Sequence, residues 1–353
     1  MSQFIQLHLL TSYPPANLNR DDLGRPKTAK MGGVDRLRVS SQSLKRTWRM
    51  SDLFQEALSG HIGTRTKRIG LSVYEKLING GIGEKKAIEW TKEIASQFGA
   101  LKKDKDNPLN ELEIEQLVHL SPREQKNLDI LSDKLIAEQR SPTSEELDLL
   151  RHEEIAADIA LFGRMLASKQ EFNTEAACQV AHAISVHPIV IEDDYFTAVD
   201  DLNDYSEDAG AAHIGETGFA AGLFYSYICI NKSQLIDNLN GDEALANQTI
   251  KALTETATKV APEGKQNSFG SRAYASYVLA EKGTQQPRSL SVAFLKPIDQ
   301  RQSDDFATDA ITALNRQQQG FDQVYGECAD ARYAMNAVTG EGKLSELLDF
   351  VTA

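Results

Sequence analysis

The sequence has few cysteines and no long apolar run, and each absence excludes a class of protein. Three cysteines in 353 residues, none in a CxxC pair, are too few for a disulfide framework or a zinc ribbon. No stretch of about 18 apolar residues is present, which argues against a membrane-spanning helix. The first residues lack a basic segment followed by an apolar one, so no secretory leader is expected. We therefore predict a cytoplasmic protein with reduced thiols and no membrane partner.

Motifs of several enzyme classes are also missing. The sequence contains no GxSxG, no GxxxxGK[ST] and no GxGxxG after a strand, so hydrolases of the nucleophile-elbow type, NTPases and dinucleotide enzymes lack support. The seven histidines form no HExxH motif, and His182 and His187 are expected on opposite faces of a strand. We expect no metal, no cofactor and no catalytic residue.

The net charge of −13 opposes nucleic-acid binding when it is taken as a whole, but its distribution is uneven. Residues 1–49 hold nine basic and three acidic residues, a local balance of +6, which leaves −19 for the rest of the chain. Because salt screens charges beyond about 8 to 10 Å, a basic segment can bind a polyanion locally in an acidic protein. The first 49 residues are therefore the candidate binding segment.

Apolar periodicity predicts the elements of the fold. Residues 4–10 alternate as a half-buried strand, and residues 13–19, with two prolines, are expected to form a loop. A helix is predicted after Ser40 or Ser41, either of which suits an N-cap. Residues 60–154 are rich in Lys and Glu and predict a helical insertion. Further strands are predicted at residues 158–167, 176–187, 219–230 and 289–295, and further helices at residues 242–260 and at the C-terminus.

Once the insertion is left out, these predictions contain the order strand, helix, strand, strand, helix, strand. This is the ferredoxin-like βαββαβ plan of an α+β fold, which RNA-recognition modules share. A plan of this kind does not by itself indicate a function.

The densest group of cations begins the first predicted helix. A helix N-terminus presents unpaired N–H groups and a partial positive charge, both of which favour a phosphate. Neutral donors there are followed by three cations expected to project from one side, namely Ser40, Ser41, Gln42, Lys45, Arg46 and Arg49. The alternative is an ordinary solvated basic face, but more cations lie just upstream, at Arg20, Lys27 and Lys30.

An acidic segment interrupted by aromatics forms a second candidate feature. Residues 192–208 carry eight acidic residues and no basic one, around Tyr195 and Phe196. An aromatic at a loop tip can insert between bases, or it can anchor the loop to its own core. The composition leaves both interpretations open. The carboxylates repel phosphates, so contact with nucleic acid would be by apolar insertion, or the segment would dock on a basic patch of another subunit.

Several short stretches, in order and spacing, resemble the CasC family, the backbone subunit of the type I-E CRISPR Cascade complex. They are Phe4-Ile5 to Leu9, Leu18-Asn19-Arg20-Asp21-Asp22, Gly32-Gly33, Arg38-Val39-Ser40-Ser41-Gln42-Ser43-Leu44-Lys45-Arg46, Gly163-Arg164-Met165, Ala181-His182-Ala183-Ile184, Phe196-Thr197-Ala198-Val199-Asp200-Asp201, Ala212-His213-Ile214-Gly215 and Gly264-Lys265-Gln266. They cover residues 1–50 and 155–230, with an echo near residue 265.

The resemblance implies an RNA-recognition-like palm, an inserted helical fingers domain and a β-hairpin thumb. The implied division is palm at residues 1–59, fingers at 60–154, palm at 155–190, thumb at 191–222 and palm at 223–353. The implied RNA-binding residues are Asn19, Arg20, Lys27, Arg38, Ser40, Gln42, Lys45, Arg46, Arg49, Met165, Phe196, Thr197, Val199, Lys265 and Gln266. Among these, Phe196 to Val199 and Met165 would push one nucleotide out of the stack at regular intervals.

The resemblance also implies a non-catalytic role in antiviral defence. Its partners would be CRISPR RNA, the target DNA strand paired to the guide, further copies of the chain in a helical filament, and other Cascade subunits. An alternative from the enzyme class is a type III-like backbone subunit that cuts target RNA with Asp21 or Asp22 and a metal ion. A third is a protein-interaction scaffold without RNA.

Overall fold

The computed structural model describes residues 2–104, 106–150, 155–167, 169–198, 213–299 and 303–353. Its strands are β1 (Phe4–Ala16), β2 (Thr28–Met31), β3 (Val34–Val39), β4 (Thr64–Thr66), β5 (Val118–Leu120), β6 (Cys178–Val180), β7 (Ala183–Ser185), β8 (Glu192–Ala198), β9 (His213–Asn231), β10 (Tyr277–Gly283) and β11 (Ala331–Asn336). Its α-helices are α1 (Ser41–Met50), α2 (Asp52–Ala57), α3 (Ile69–Asn79), α4 (Glu84–Ala95), α5 (Pro122–Glu138), α6 (Ala157–Phe162), α7 (Lys232–Asn238), α8 (Glu243–Lys259), α9 (Gln266–Phe269), α10 (Phe306–Tyr325) and α11 (Leu344–Thr352).

One antiparallel sheet organises most of the chain. Its order is β11-β10-β1-β9-β7-β3-β2, and β6 and β8 also pair with β9. Strands β4 and β5 form a separate pair within the Lys/Glu-rich region. The expected mixture of an antiparallel sheet with helices is confirmed. No helix of the described ranges is long and apolar enough to cross a membrane.

Both faces of the central strand β1 are buried. Ile5, Leu7 and Leu9 of β1 pack on one face with helices α1, α8 and α11, as the alternation predicts. The opposite face, expected to be polar and exposed, is covered instead by residues 290–294 and by α10. His8 on that face is fully buried.

A second hydrophobic core lies within residues 69–166. Helices α3, α4 and α5 contribute Val73, Trp90 and Leu131, and β5 adds Val118. Helix α5 begins with a capping box in which Ser121 and Glu124 satisfy each other's backbone N–H groups. The helical character predicted for this region is therefore observed in its described residues.

Two predicted strands are wrong. Residues 158–167 form α6 followed by a loop, because a short run of small apolar residues fits a buried helix as well as a strand. Gly163, at φ 81°, ends that helix in a conformation that favours glycine. Residues 289–295 form a 3₁₀ turn at Ser291–Phe294, and the strand of this region is β10, which carries a fully buried glutamate, Glu281.

The loop expected at residues 13–19 also begins later than predicted. Strand β1 continues to Ala16, and its register with β9 shifts between Tyr13 and Ala16. The two prolines, Pro14 and Pro15, fall within this irregularity, where a missing N–H removes no ladder hydrogen bond.

Candidate nucleic-acid interface

The loop after β1 is fixed against the start of α1. Asn19 Oδ1 accepts from the Ser40 N–H at 2.9 Å, and its carbonyl accepts from the Lys27 N–H at 2.8 Å. Asn17 donates to the carbonyls of Gly24 and Gly218, 2.9 Å each. These bonds hold the loop in place, so the Asn19 amide oxygen is engaged within the protein.

The backbone N–H groups at the N-terminus of α1 have acceptors within the protein. Ser40 is the N-cap, as predicted, and its hydroxyl oxygen accepts from the Ser43 N–H at 3.2 Å. The Ser41 N–H donates to Nδ1 of His182 at 3.3 Å. Two of the N–H groups expected to be unpaired therefore have partners, while the Gln42 side chain is exposed.

Two of the three cations of α1 reach the surface, and the third does not. Arg46 is exposed, and Lys45 Nζ lies 5.4 Å from the centroid of the Phe162 ring. Arg49 is buried and donates from Nε to Asp158 Oδ2 at 2.8 Å. The expectation that all three project together to solvent is wrong for Arg49, because a buried carboxylate on α6 pairs with it.

Asp158 joins three segments of the chain. Besides Arg49, its carboxylate binds His119 Nε2 at 2.8 Å and the Gly63 N–H at 2.9 Å. Burial alone would raise the pKa of Asp158, but the hydrogen bond from His119 and the other partners hold it below its ordinary value. The carboxylate is therefore a charged anchor between α1 and the helical region.

The basic end of α1 forms one wall of a cleft of about 710 Å³. Met165, which is 82% exposed, also lines this cleft. Basic and polar side chains line the cleft, namely Gln42, Lys45, Arg46, Arg49, Arg65, His119, Arg164 and Thr174, and no aspartate or glutamate of the described residues lines it. The structure thus brings Met165 together with the predicted cations of α1.

The charges in this cleft are not equivalent. Arg49 is neutralised by Asp158, and Arg164 by Glu124, with Nη1 to Oε2 at 2.7 Å. Lys45, Arg46 and Arg65 make no ion pair with any residue of the described ranges. These three give the cleft its net positive charge. Arg65, on β4, was not recognised in the sequence, because only the tertiary structure brings it beside α1.

A second cleft, of about 730 Å³, lies along an adjoining face of α1. Asn19, Arg20 and Arg46 line it, so Arg46 borders both clefts. Here Asp21, Asp22 and Glu263 balance the cations. This cleft is therefore less suited to a polyanion than the first.

Asp21, the candidate for a catalytic aspartate, shapes its own loop. Its Oδ1 accepts from the N–H groups of Leu23 and Arg25, both at 2.9 Å. Across the residues that the structure describes, acidic, histidine and cysteine side chains form no cluster of three or more that could hold a metal ion.

Strands β8 and β9 form a hairpin that carries the candidate wedge. Phe196 pairs with Gly215, and its ring covers that glycine so closely that an added Cβ would lie 2.3 Å from it. The Phe196 side chain is 43% exposed, and Thr197 pairs with Ile214. Val199 lies outside the described residues.

The base of the hairpin contacts the basic loop. Arg25 pairs with Asp193 at 3.0 Å, and Lys265 donates to Thr217 Oγ1 at 2.9 Å. Gln266 turns its amide toward Ser271 Oγ, 3.1 Å away. Lys265 and Gln266 thus make contacts within the protein, and neither lines the cleft that contains Met165.

Arg38 and Lys27 form a third cationic position beside His182. Arg38 Nη1 lies 3.4 Å from His182 Nδ1, and the Arg38 N–H donates to the Lys27 carbonyl at 2.8 Å. Burial and the charges of Arg38 and Lys27 lower the pKa of His182. The imidazole is therefore a neutral group in a cationic setting.

Similarity to known proteins was found in structure and in sequence. A chain of a solved structure titled "CRISPR RNA-guided surveillance complex, pre-nicking" is 27% identical, with a TM-score of 0.81 and 99% of each chain covered. A chain of another, titled "CRISPR RNA-guided surveillance complex", is 23% identical, with a TM-score of 0.72 and 99% of each covered, a likeness of fold. No curated protein matches the sequence. The family model described as CT1975-like protein matches residues 5–349, so the chain belongs to the CT1975-like protein family.

Proposed function

We propose that the chain is a non-catalytic backbone subunit of a CRISPR RNA-guided surveillance complex and holds the guide by its phosphates. The observation that carries the proposal is the cleft lined by Lys45, Arg46, Arg65 and Met165, with no carboxylate of the described residues in the lining. The 27% identity and TM-score of 0.81 to a chain of such a complex support the same assignment.

The sheet supports an RNA-recognition-like palm within this proposal. Strands β10, β1, β9 and β7 are neighbours in that order and antiparallel. Helix α1 lies between β1 and β7 in sequence, and α8 lies between β9 and β10. With these two helices, the strand order is that of a ferredoxin-like sheet. The second core then corresponds to the fingers and the β8–β9 hairpin to the thumb. The proposed domain limits are those that the family resemblance implies.

The guide would lie on the helical side of the palm. Many RNA-recognition modules stack bases on exposed aromatics of the sheet. Here the corresponding face is buried, and Tyr225 on it contacts Phe294 with ring centroids 5.3 Å apart. The cleft beside α1 offers phosphate donors instead. Phosphate contacts leave the base edges free to pair with a target strand.

Met165 and Phe196 are the apolar groups of the proposal. Both are exposed, at 82% and 43%, although removal of an apolar side chain from water lowers the free energy. Unstacking a nucleotide costs a few kcal/mol, which insertion of such a side chain offsets. The proposed wedge would act once per subunit along a filament of copies of the chain. In this proposal the filament belongs to a type I-E complex, which works with its other subunits in the cytoplasm.

The alternative with a catalytic aspartate gains no specific support. Asp21 is engaged by two backbone N–H groups of its own loop, which explains its position without a metal ion. The scaffold alternative without RNA leaves the cations of the cleft unexplained.

The test measures RNA binding as a function of salt. We expect the wild-type protein to bind a single-stranded RNA with an affinity that falls with salt, and Lys45→Ala with Arg46→Ala to reduce the log–log slope by about two, since each lost phosphate contact lowers it by about one. The matched control is Lys85→Ala with Lys86→Ala, two exposed cations of α4 outside the cleft. Equal slopes in both double variants would contradict the proposal.

A further inference from the structure

His182 lies at the surface where three segments of the candidate interface meet. It precedes β7, and its Nδ1 is 3.3 Å from the Ser41 N–H of α1 and 3.4 Å from Arg38 Nη1 of β3. Two donors thus converge on one nitrogen atom. Both distances are long for hydrogen bonds, so each bond is weak and can be exchanged for a better acceptor.

The groups that face His182 all favour an anion. Arg38 of β3 and Lys27 of the preceding loop are the charged groups that act on the ring, and α1 presents the Ser41 N–H. No carboxylate among the described residues pairs with the imidazole. The position therefore combines two cations, one backbone donor and a neutral ring, and no carboxylate in the described part of the chain balances them.

We propose that His182 is a proton-linked phosphate contact, at which binding of the guide backbone beside Arg38 and Lys27 is accompanied by uptake of one proton on the imidazole. This inference rests on the proposed function and deepens it. In the free protein the ring is neutral and accepts at Nδ1, which leaves its proton on Nε2. A phosphate brings the missing negative charge, takes over the Ser41 and Arg38 donors, and stabilises the imidazolium.

Linkage gives the sign of the effect. The pKa of His182 in the free protein is below its ordinary value of 6.5, because burial and the two cations disfavour the charged ring. A bound phosphate raises that pKa, so RNA affinity increases as the pH falls through the bound-state pKa and levels off below the free-state pKa. The steepest possible dependence for one proton is about tenfold in affinity per pH unit.

The experiment measures RNA affinity of the full chain between about pH 8 and pH 5.5 at constant salt, with a labelled single-stranded RNA. His182→Asn keeps an acceptor near the Nδ1 position but cannot titrate. We expect wild-type affinity to rise several-fold on acidification and that of His182→Asn to stay flat, with similar binding of both at pH 8. His61→Asn removes an exposed histidine elsewhere and should retain the wild-type rise.

A calorimetric titration in two buffers of different ionisation enthalpy provides an independent readout, because proton uptake changes the apparent binding enthalpy in wild type but not in His182→Asn. An identical pH dependence in wild type and His182→Asn would overturn the proposal. Failure of the proposed function is distinguishable, since the protein would then bind no RNA at any pH.

Discussion

Arg49 donates a 2.8 Å hydrogen bond from Nε to Oδ2 of Asp158, across 109 positions of sequence. The bond joins the first helix of the sheet layer to the segment that follows the helical region. His119 binds the same carboxylate oxygen from β5. One buried carboxylate therefore links α1, which lines the cleft, to the segment that leads to Met165.

Removal of this carboxylate should destabilise the protein. Asp158→Ala leaves Arg49 as a buried charge without its partner, which costs about 3 to 5 kcal/mol in comparable cases. The free energy of unfolding from urea denaturation measures the loss. Asp129→Ala, which removes an exposed carboxylate 3.7 Å from Lys76, should cost less than about 1 kcal/mol. Similar losses in both variants would show that the buried ion pair contributes no more to the free energy of unfolding than the exposed one.

Arg65 should contribute to RNA binding although its position in the sequence gives no indication of it. Arg65→Ala removes one unpaired cation of the cleft, so the slope of log affinity against log salt should decrease by about one. Arg68→Ala is the matched control, because Arg68 is bonded to Glu113 at 3.3 Å and lies outside the cleft. The assignment fails if Arg68→Ala changes the slope as much as Arg65→Ala.

Phe196 should distort the bound guide without supporting the fold. Phe196→Ala is expected to leave the unfolding midpoint near that of wild type, because the ring is 43% exposed on a hairpin. The regular pattern of nuclease sensitivity along the bound RNA should weaken. Tyr195→Ala changes the neighbouring residue, whose side chain points to the other face of the strand, and should preserve the pattern. An unaltered pattern in Phe196→Ala would exclude the wedge.

Acid should destabilise the native protein from about neutral pH downward. Burial lowers the pKa of His8 below 6.5, against the hydrogen bond that His8 donates to Glu281, which raises it. The unfolded chain therefore binds a proton more readily at this position, and stability is lost as the pH falls below 6.5, by up to about 1.4 kcal/mol per pH unit. Glu281, whose pKa His8 and Arg288 hold well below its ordinary value despite burial, adds a second loss below about pH 4.5.

The measurement is urea denaturation at several pH values. His8→Gln keeps a neutral hydrogen-bonding group at the site and should flatten the profile between about pH 7 and pH 5.5. His61→Asn, at an exposed position, should leave the profile as in wild type. A wild-type stability that is constant over this range would contradict the role given to His8.

Local sequence patterns predicted those elements whose apolar and polar positions match the buried and exposed positions of the fold. The alternation in residues 4–10, the Ser40 cap and the helical stripe of α8 depend on neighbours along the chain, and all three are observed. Strand β10 was missed because Glu281 is buried in it, paired with Arg288 and Arg332. A charged residue in a strand usually indicates an exposed edge. The arginines that allow Glu281 to be buried lie outside β10, so the local pattern does not reveal them.

The sequence by itself determined that the basic residues cluster in the first 49 positions and that this segment resembles one family. Only the tertiary structure decided what each cation does. Arg36 is fully buried, with Nη1 donating to the Ser185 carbonyl at 2.8 Å, and Arg49 pairs with Asp158. Lys45 and Arg46 remain at the cleft. The physical reason is that a charge requires either water or a partner, and the partners come from segments more than a hundred residues away.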